Sequence, residues 1–116
     1  MKKESFRDRR VGELLREEIA KLIQFEVKSE DIHSVIITEV AVTKDLSLAR
    51  VYFRSYDSSD LEQLKVSLDN VKGFIFYRLK KMIKMKRIPN IEFFPDNSLD
   101  YAAKIEGLIK QVHQEN

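Results

Sequence analysis

The chain has 116 residues, 43% of them hydrophobic and none of them cysteine. That suits one domain with its own core, and it excludes disulfides, a thiol nucleophile and a zinc–thiolate site. The net charge is only +2, yet Lys72–Ile91 holds seven of the 21 basic residues and none of the 19 acidic ones, so the rest of the chain is acidic by five. Such polarity points to a polyanionic partner, and without an 18-residue apolar run no helix is expected to cross a membrane.

Residues 1–4 are expected to be loose. Charged Met1–Arg10 precedes no apolar stretch and is not a secretory leader. Ser5 is suited to cap a helix, with Asp8 in its first turn. Val11, Leu14, Leu15, Ile19, Leu22 and Ile23 then recur at helical spacing, which predicts a half-buried helix of about five turns. A solvated face accounts for most of its charges, while Arg7, Arg9 and Arg10 form a small basic cluster at its entry. Polar residues 28–34 read as a loop. Val35–Val42 is rich in β-branched residues and reads as a strand, followed by a turn over residues 44–47. Leu48–Arg54 alternates, with Ala49, Val51 and Phe53 on one side and Arg50, Tyr52 and Arg54 on the other. The two strands make a hairpin with one polar face.

Ser59 and Glu62 have the spacing of a capping box, so a second helix starts near Asp60. Leu61, Leu64, Leu68, Val71, Ile75, Leu79, Met82 and Ile83 share its apolar face. Lys80, Lys81 and Lys84 lie opposite, with Tyr77 among them. Gly73 costs about 1 kcal/mol against alanine in a helix and predicts a kink or a close backbone approach. The helix resumes to about Met85, and Pro89 ends the segment. Asn90–Phe94 reads as a third strand, closed by Pro95. Asp96, Asn97 and Ser98 then cap a last helix striped by Ala102, Ile105, Leu108, Ile109 and Val112, with 113–116 loose. The order is helix, strand, strand, helix–kink–helix, strand, helix. It predicts one α+β domain over residues 1–116, a three-stranded sheet covered by helices on one face.

Little in the chain offers catalysis. His33 and His113 lack metal-ligand spacing, and capping already explains the acid pairs Asp57/Asp60 and Asp96/Asp100. Gly12, Gly73 and Gly107 are too dispersed for a phosphate loop. The chain therefore reads as a non-enzyme without metal or cofactor. The basic segment is what carries chemistry: its cations can neutralise phosphates, and Tyr77 can stack on a base. Phe74 offers a second ring, or else a wedge at the kink. A merely solvated lysine face is the plainer alternative, disfavoured by seven bases with no acid in twenty residues. A helix lying on an anionic membrane is disfavoured because the sheet needs its apolar stripe.

Arg10-Val11 is one element of a wider pattern. The others are Val40-x-x-x-x-Asp45-Leu46-x-x-Ala49-x-Val51-Tyr52, Gly73-Phe74-Ile75, and Pro89 followed by Phe93-Phe94 and Asp96-Asn97-Ser98. Together, over roughly residues 5–112, the chain resembles the bacterial ribosome-binding factor A family. The resemblance implies a type II KH-like fold in which a kink, commonly Ala-x-Gly and here Val71-Lys72-Gly73, replaces the usual Gly-x-x-Gly loop. The family often has arginine three residues after the glycine. Phe76 stands there in this chain, and Arg78 is the nearest substitute. The implied function is late maturation of the small ribosomal subunit: binding of the free 30S particle and help in processing and folding its 16S rRNA, with most effect in the cold. The lack of cysteine fits a reducing cytoplasm, and a monomer is the simpler expectation. On this reading Lys81, Lys84 and Lys86 contact phosphates, assisted by Arg78, Lys80 and Arg87. Lys72, Gly73, Tyr77, Arg7 and Arg10 complete the expected RNA-binding set, and the kink at Gly73 presents a free helix N-terminus to a phosphate. Whether an assembly GTPase is a second partner stays open. Two rivals remain: a protein-interaction module docking through Arg50, Tyr52 and Arg54, and an enzyme that cuts RNA.

Overall fold

Leu48–Ser55 forms the middle of the molecule because its alternation gives it one fully buried side: Ala49, Val51 and Phe53 are each 0% exposed. The computed structural model describes residues 2–57 and 59–96, with side chains from residue 7 onward. Within them, helix α1 (Lys2–Lys21) runs into a π-helical turn (Leu22–Glu26), followed by a 3-10 turn (Glu30–Ile32). Strand β1 (Val35–Val42), strand β2 (Leu48–Ser55), helix α2 (Leu61–Met82) and strand β3 (Asn90–Pro95) complete the order. The sheet runs β1-β2-β3, with β1 antiparallel and β3 parallel to β2. A parallel neighbour requires a crossover, and α2 supplies it.

The buried sides of the three strands form one apolar face. Ile37 and Val40 of β1 and Ile91 and Phe93 of β3 join the three β2 residues. α1 covers that face over β1 with Leu15 and Ile19, and α2 covers it over β3 with Leu64, Leu68, Ile75 and Leu79. The result is the expected α+β, KH-like layout. A bulge at Thr38 shifts the register from Ile37↔Phe53 to Glu39↔Tyr52. The extra residue lets Ile37 and Val40, three apart, both face the core. It also turns the Thr38 hydroxyl to donate to the Asp96 carboxylate at 2.6 Å, tying β1 to the end of β3.

The strands lie where the sequence places them, β2 and β3 each one residue longer. The helices differ more. α1 already includes Ser5, which therefore does not cap it, and takes in residues 2–4 before the expected start. At α2 the cap is Asp60, whose side chain accepts the Glu62 N–H at 2.9 Å. Ser59, the expected cap, instead gives its N–H (2.9 Å) and its hydroxyl to Asp57. α2 is one unbroken helix through Gly73, where an added Cβ would meet nothing within 4 Å. Among the described residues neither a close approach nor a second helix N-terminus occurs there. The helix stops at Met82, three residues early, and Met82 is 40% exposed instead of joining the apolar stripe. The predicted C-terminal helix lies outside the described residues.

Candidate nucleic-acid interface

Because Leu64, Leu68, Ile75 and Leu79 face the core, the opposite side of α2 must face solvent. Near its C-terminal end that side carries Tyr77, Lys80 and Lys81, all exposed. Each lysine lies one turn beyond an aromatic ring. The Lys81 ammonium sits 4.6 Å from the Tyr77 ring centroid, and that of Lys80 sits 5.7 Å from Phe76. Both lysines also complement the helix dipole, a purely structural benefit of about 0.3–1 kcal/mol each.

The chain leaves the helix when Ile83 turns extended (φ −106, ψ 127), its N–H still bonded to the Leu79 carbonyl at 2.9 Å. From there burial alternates sharply. Ile83, Ile88 and Pro89 are buried, while Lys84, Lys86 and Arg87 between them are exposed. The apolar residues pin the connector to the core and thrust its cations outward. Lys84 is thus a connector residue, not the helical one the periodicity suggested. Five exposed cations, Lys80, Lys81, Lys84, Lys86 and Arg87, follow within eight residues. Among the described residues none has a carboxylate within ion-pair distance. Lys80, Lys86 and Arg87 also line a common depression of about 240 Å³, together with Phe76, Met85, Ile88 and Asn90.

The remaining expected residues are less well placed. Arg78 is engaged: its Nε donates to Glu26 at 2.9 Å and its second terminal nitrogen at 3.3 Å. Lys72 is half-buried and Gly73 exposed. Arg7 and Arg10 are exposed on α1, which rests on β1 at the sheet edge opposite α2 and β3. Arg10 lines a separate depression shared with Glu13 and Glu39, so it does not join the cluster. Phe74, 44% exposed, is no wedge. Phe76 and Asn90 escaped the sequence reading. For Phe76 the local signal was its spacing from Lys80, which duplicates that of Tyr77–Lys81; for Asn90 there was none.

The open face of the sheet has mixed charge. Register sets Arg50 between Ala41 and Glu92, and Tyr52 between Glu39 and Phe94. The Tyr52 and Phe94 rings are 5.7 Å apart. His33 is a surface residue beside Tyr56, and no cluster able to hold a metal occurs among the described residues.

The family model described as ribosome-binding factor A matches residues 7–109. A protein of that description from Caldanaerobacter subterraneus subsp. tengcongensis is 35% identical over 119 residues, covering 99% of this chain and 96% of that one. The crystal structure of ribosome-binding factor A from Thermus thermophilus has the same fold, with a TM-score of 0.70 at 22% identity over 76% of this chain and 93% of that one. A Thermus thermophilus homology model fitted into a cryo-EM map of a 30S complex aligns with a TM-score of 0.60 at 22% identity, over 72% of this chain and 88% of that one.

Proposed function

The chain belongs to the ribosome-binding factor A family, and from that membership we propose that it binds the free small ribosomal subunit through 16S rRNA and assists its late maturation. The observation that carries this reading is the run of five exposed cations at residues 80–87, none of them paired with a carboxylate among the described residues. Ammonium and guanidinium groups held outward by a buried Ile83/Ile88/Pro89 anchor meet phosphates without first breaking an internal ion pair. Association then gains from the release of counterions. Tyr77, exposed beneath the Lys81 ammonium, adds a ring on which a base can stack.

The protein works by holding one rRNA arrangement, without covalent chemistry and as a monomer. Cold overstabilises wrong RNA helices, so a protein that favours the right one matters most there. The test is sedimentation with purified small subunits. Wild type is expected to co-migrate with them, and the triple change Lys81→Glu, Lys84→Glu and Lys86→Glu to abolish co-migration while leaving the melting curve intact. Undiminished binding by the triple variant would falsify the site. Specific cleavage of precursor rRNA by the pure protein would overturn the non-enzymatic reading. The Tyr52–Phe94 pair flanked by exposed Arg50 and Arg54 supports a second reading, docking of a protein. A partner that persists after nuclease treatment favours it.

A further inference from the structure

The depression at the foot of α2 has more than a lysine rim. Lys80, Lys86, Arg87 and Asn90 are exposed around it, whereas Phe76 and Met85 are half-buried and Ile88 is 6% exposed. We infer that it receives one unstacked RNA nucleotide, the base against Phe76 and the phosphate among Lys80, Lys86 and Arg87. The inference rests on the RNA-binding reading above and names what that surface holds.

Chemistry and size both favour a single base. A duplex backbone requires only cations, and an apolar floor contributes nothing to holding it. A base splayed out of its helix has a π face to stack and polar edges to satisfy. Phe76 offers the ring, and the Asn90 amide offers both donors and an acceptor. About 240 Å³ falls below the roughly 300–1,000 Å³ of pockets for drug-sized ligands, leaving room for one ring system. The Lys80 ammonium over Phe76 shows that the ring face is reachable from solvent. An arriving base takes its place, and the freed ammonium swings to the phosphate. The walls are firm: Ile88 and Pro89 are buried, and the Asn90 N–H is bonded to the Ser47 carbonyl at 3.0 Å. Tyr77 does not line this depression, so it offers a ring without enclosing a base here.

The test is an NMR titration of the full chain with each of the four nucleoside 5′-monophosphates, against inorganic phosphate at equal ionic strength. Nucleotides are expected to shift the Phe76 ring, the Met85 methyl and the Asn90 side-chain amide, and phosphate to leave all three in place. With a single-stranded hexanucleotide, Phe76→Leu is expected to weaken binding by about 5- to 150-fold, the equivalent of about 1–3 kcal/mol for one stacked base. Its salt dependence stays that of wild type. Exposed Asn90→Ala gives a smaller loss and serves if Phe76→Leu fails to fold. Equal shifts with phosphate and nucleotides, or full affinity in the folded variants, would overturn the pocket. Failure of wild type to co-sediment with small subunits overturns the function instead, and leaves the titration to be judged separately.

Discussion

A methyl group added at Gly12 would meet the Val40 carbonyl oxygen at 2.6 Å, and that oxygen belongs to strand backbone that cannot swing aside. Gly12→Ala should therefore lower stability by about 1–3 kcal/mol, seen as a lower urea midpoint with an unchanged slope. Gly73 has the opposite expectation. It is exposed inside a helix with open space around it, so Gly73→Ala should add up to about 1 kcal/mol and leave subunit binding alone. A loss of binding in that variant would mean the backbone there approaches RNA. Arg78 is held by Glu26, and both side chains are about one-third exposed, so the pair contributes at most about 1 kcal/mol. Glu26→Gln should release the guanidinium. Subunit affinity then rises and the salt slope steepens by about 0.7.

α2 depends on how its two ends are made. At the start, Asp60 satisfies the Glu62 N–H, and Asp60→Ala should cost about 0.5–2 kcal/mol by denaturant titration. Just before it, hydrogen bonds to Asp57 from the Ser55 hydroxyl, the Ser59 hydroxyl and the Ser59 N–H pull its carboxyl from 3.8 down to about 2. A carboxyl depressed on folding stabilises the fold above its unfolded value and loses that contribution as pH falls through its folded value. Asp57→Asn should thus melt below wild type at neutral pH, with the gap closing between about pH 4 and pH 2. A gap independent of pH would show that the turn does not use the charge. Asp45 is likewise held below its ordinary range, by the Ser47 and Thr43 hydroxyls and the Ser47 N–H, in a turn whose Leu46 takes φ 60. At the far end of α2, the early stop at Met82 moves Lys84 onto the connector that carries Lys86 and Arg87, and the buried Ile83, Ile88 and Pro89 anchor it there.

Across the whole molecule, a body acidic by five meets a basic segment of seven charges. The body repels the phosphates that the segment attracts, so the field orients the protein as it approaches. With about five phosphates neutralised on single-stranded RNA, the slope of log affinity against log salt should be near −3.5. Raising salt from about 50 to 200 mM should then weaken binding by roughly a hundredfold. A slope near zero would place the affinity in apolar contacts, as a protein-docking surface would.

The order of the described elements, most of the apolar stripe of each helix and the basic run were legible in the sequence, though Leu14 and Met82, placed in those stripes, are each 40% exposed. Each is recorded locally, as a period of burial or a run of one charge. Which cations are free was settled only by packing. It joined Arg78 to Glu26, 52 residues away, and pinned Ile83, Ile88 and Pro89 so that Lys84, Lys86 and Arg87 stand outward. It also gathered Phe76 and Asn90 beside them across the end of α2. A bulge at Thr38, a cap at Asp60 instead of Ser59 and an unbroken turn at Gly73 arose in the same way. Neighbours along the chain set a residue's propensity, whereas ion pairs, caps and pockets depend on distances between segments that meet only once the sheet and its helices have packed.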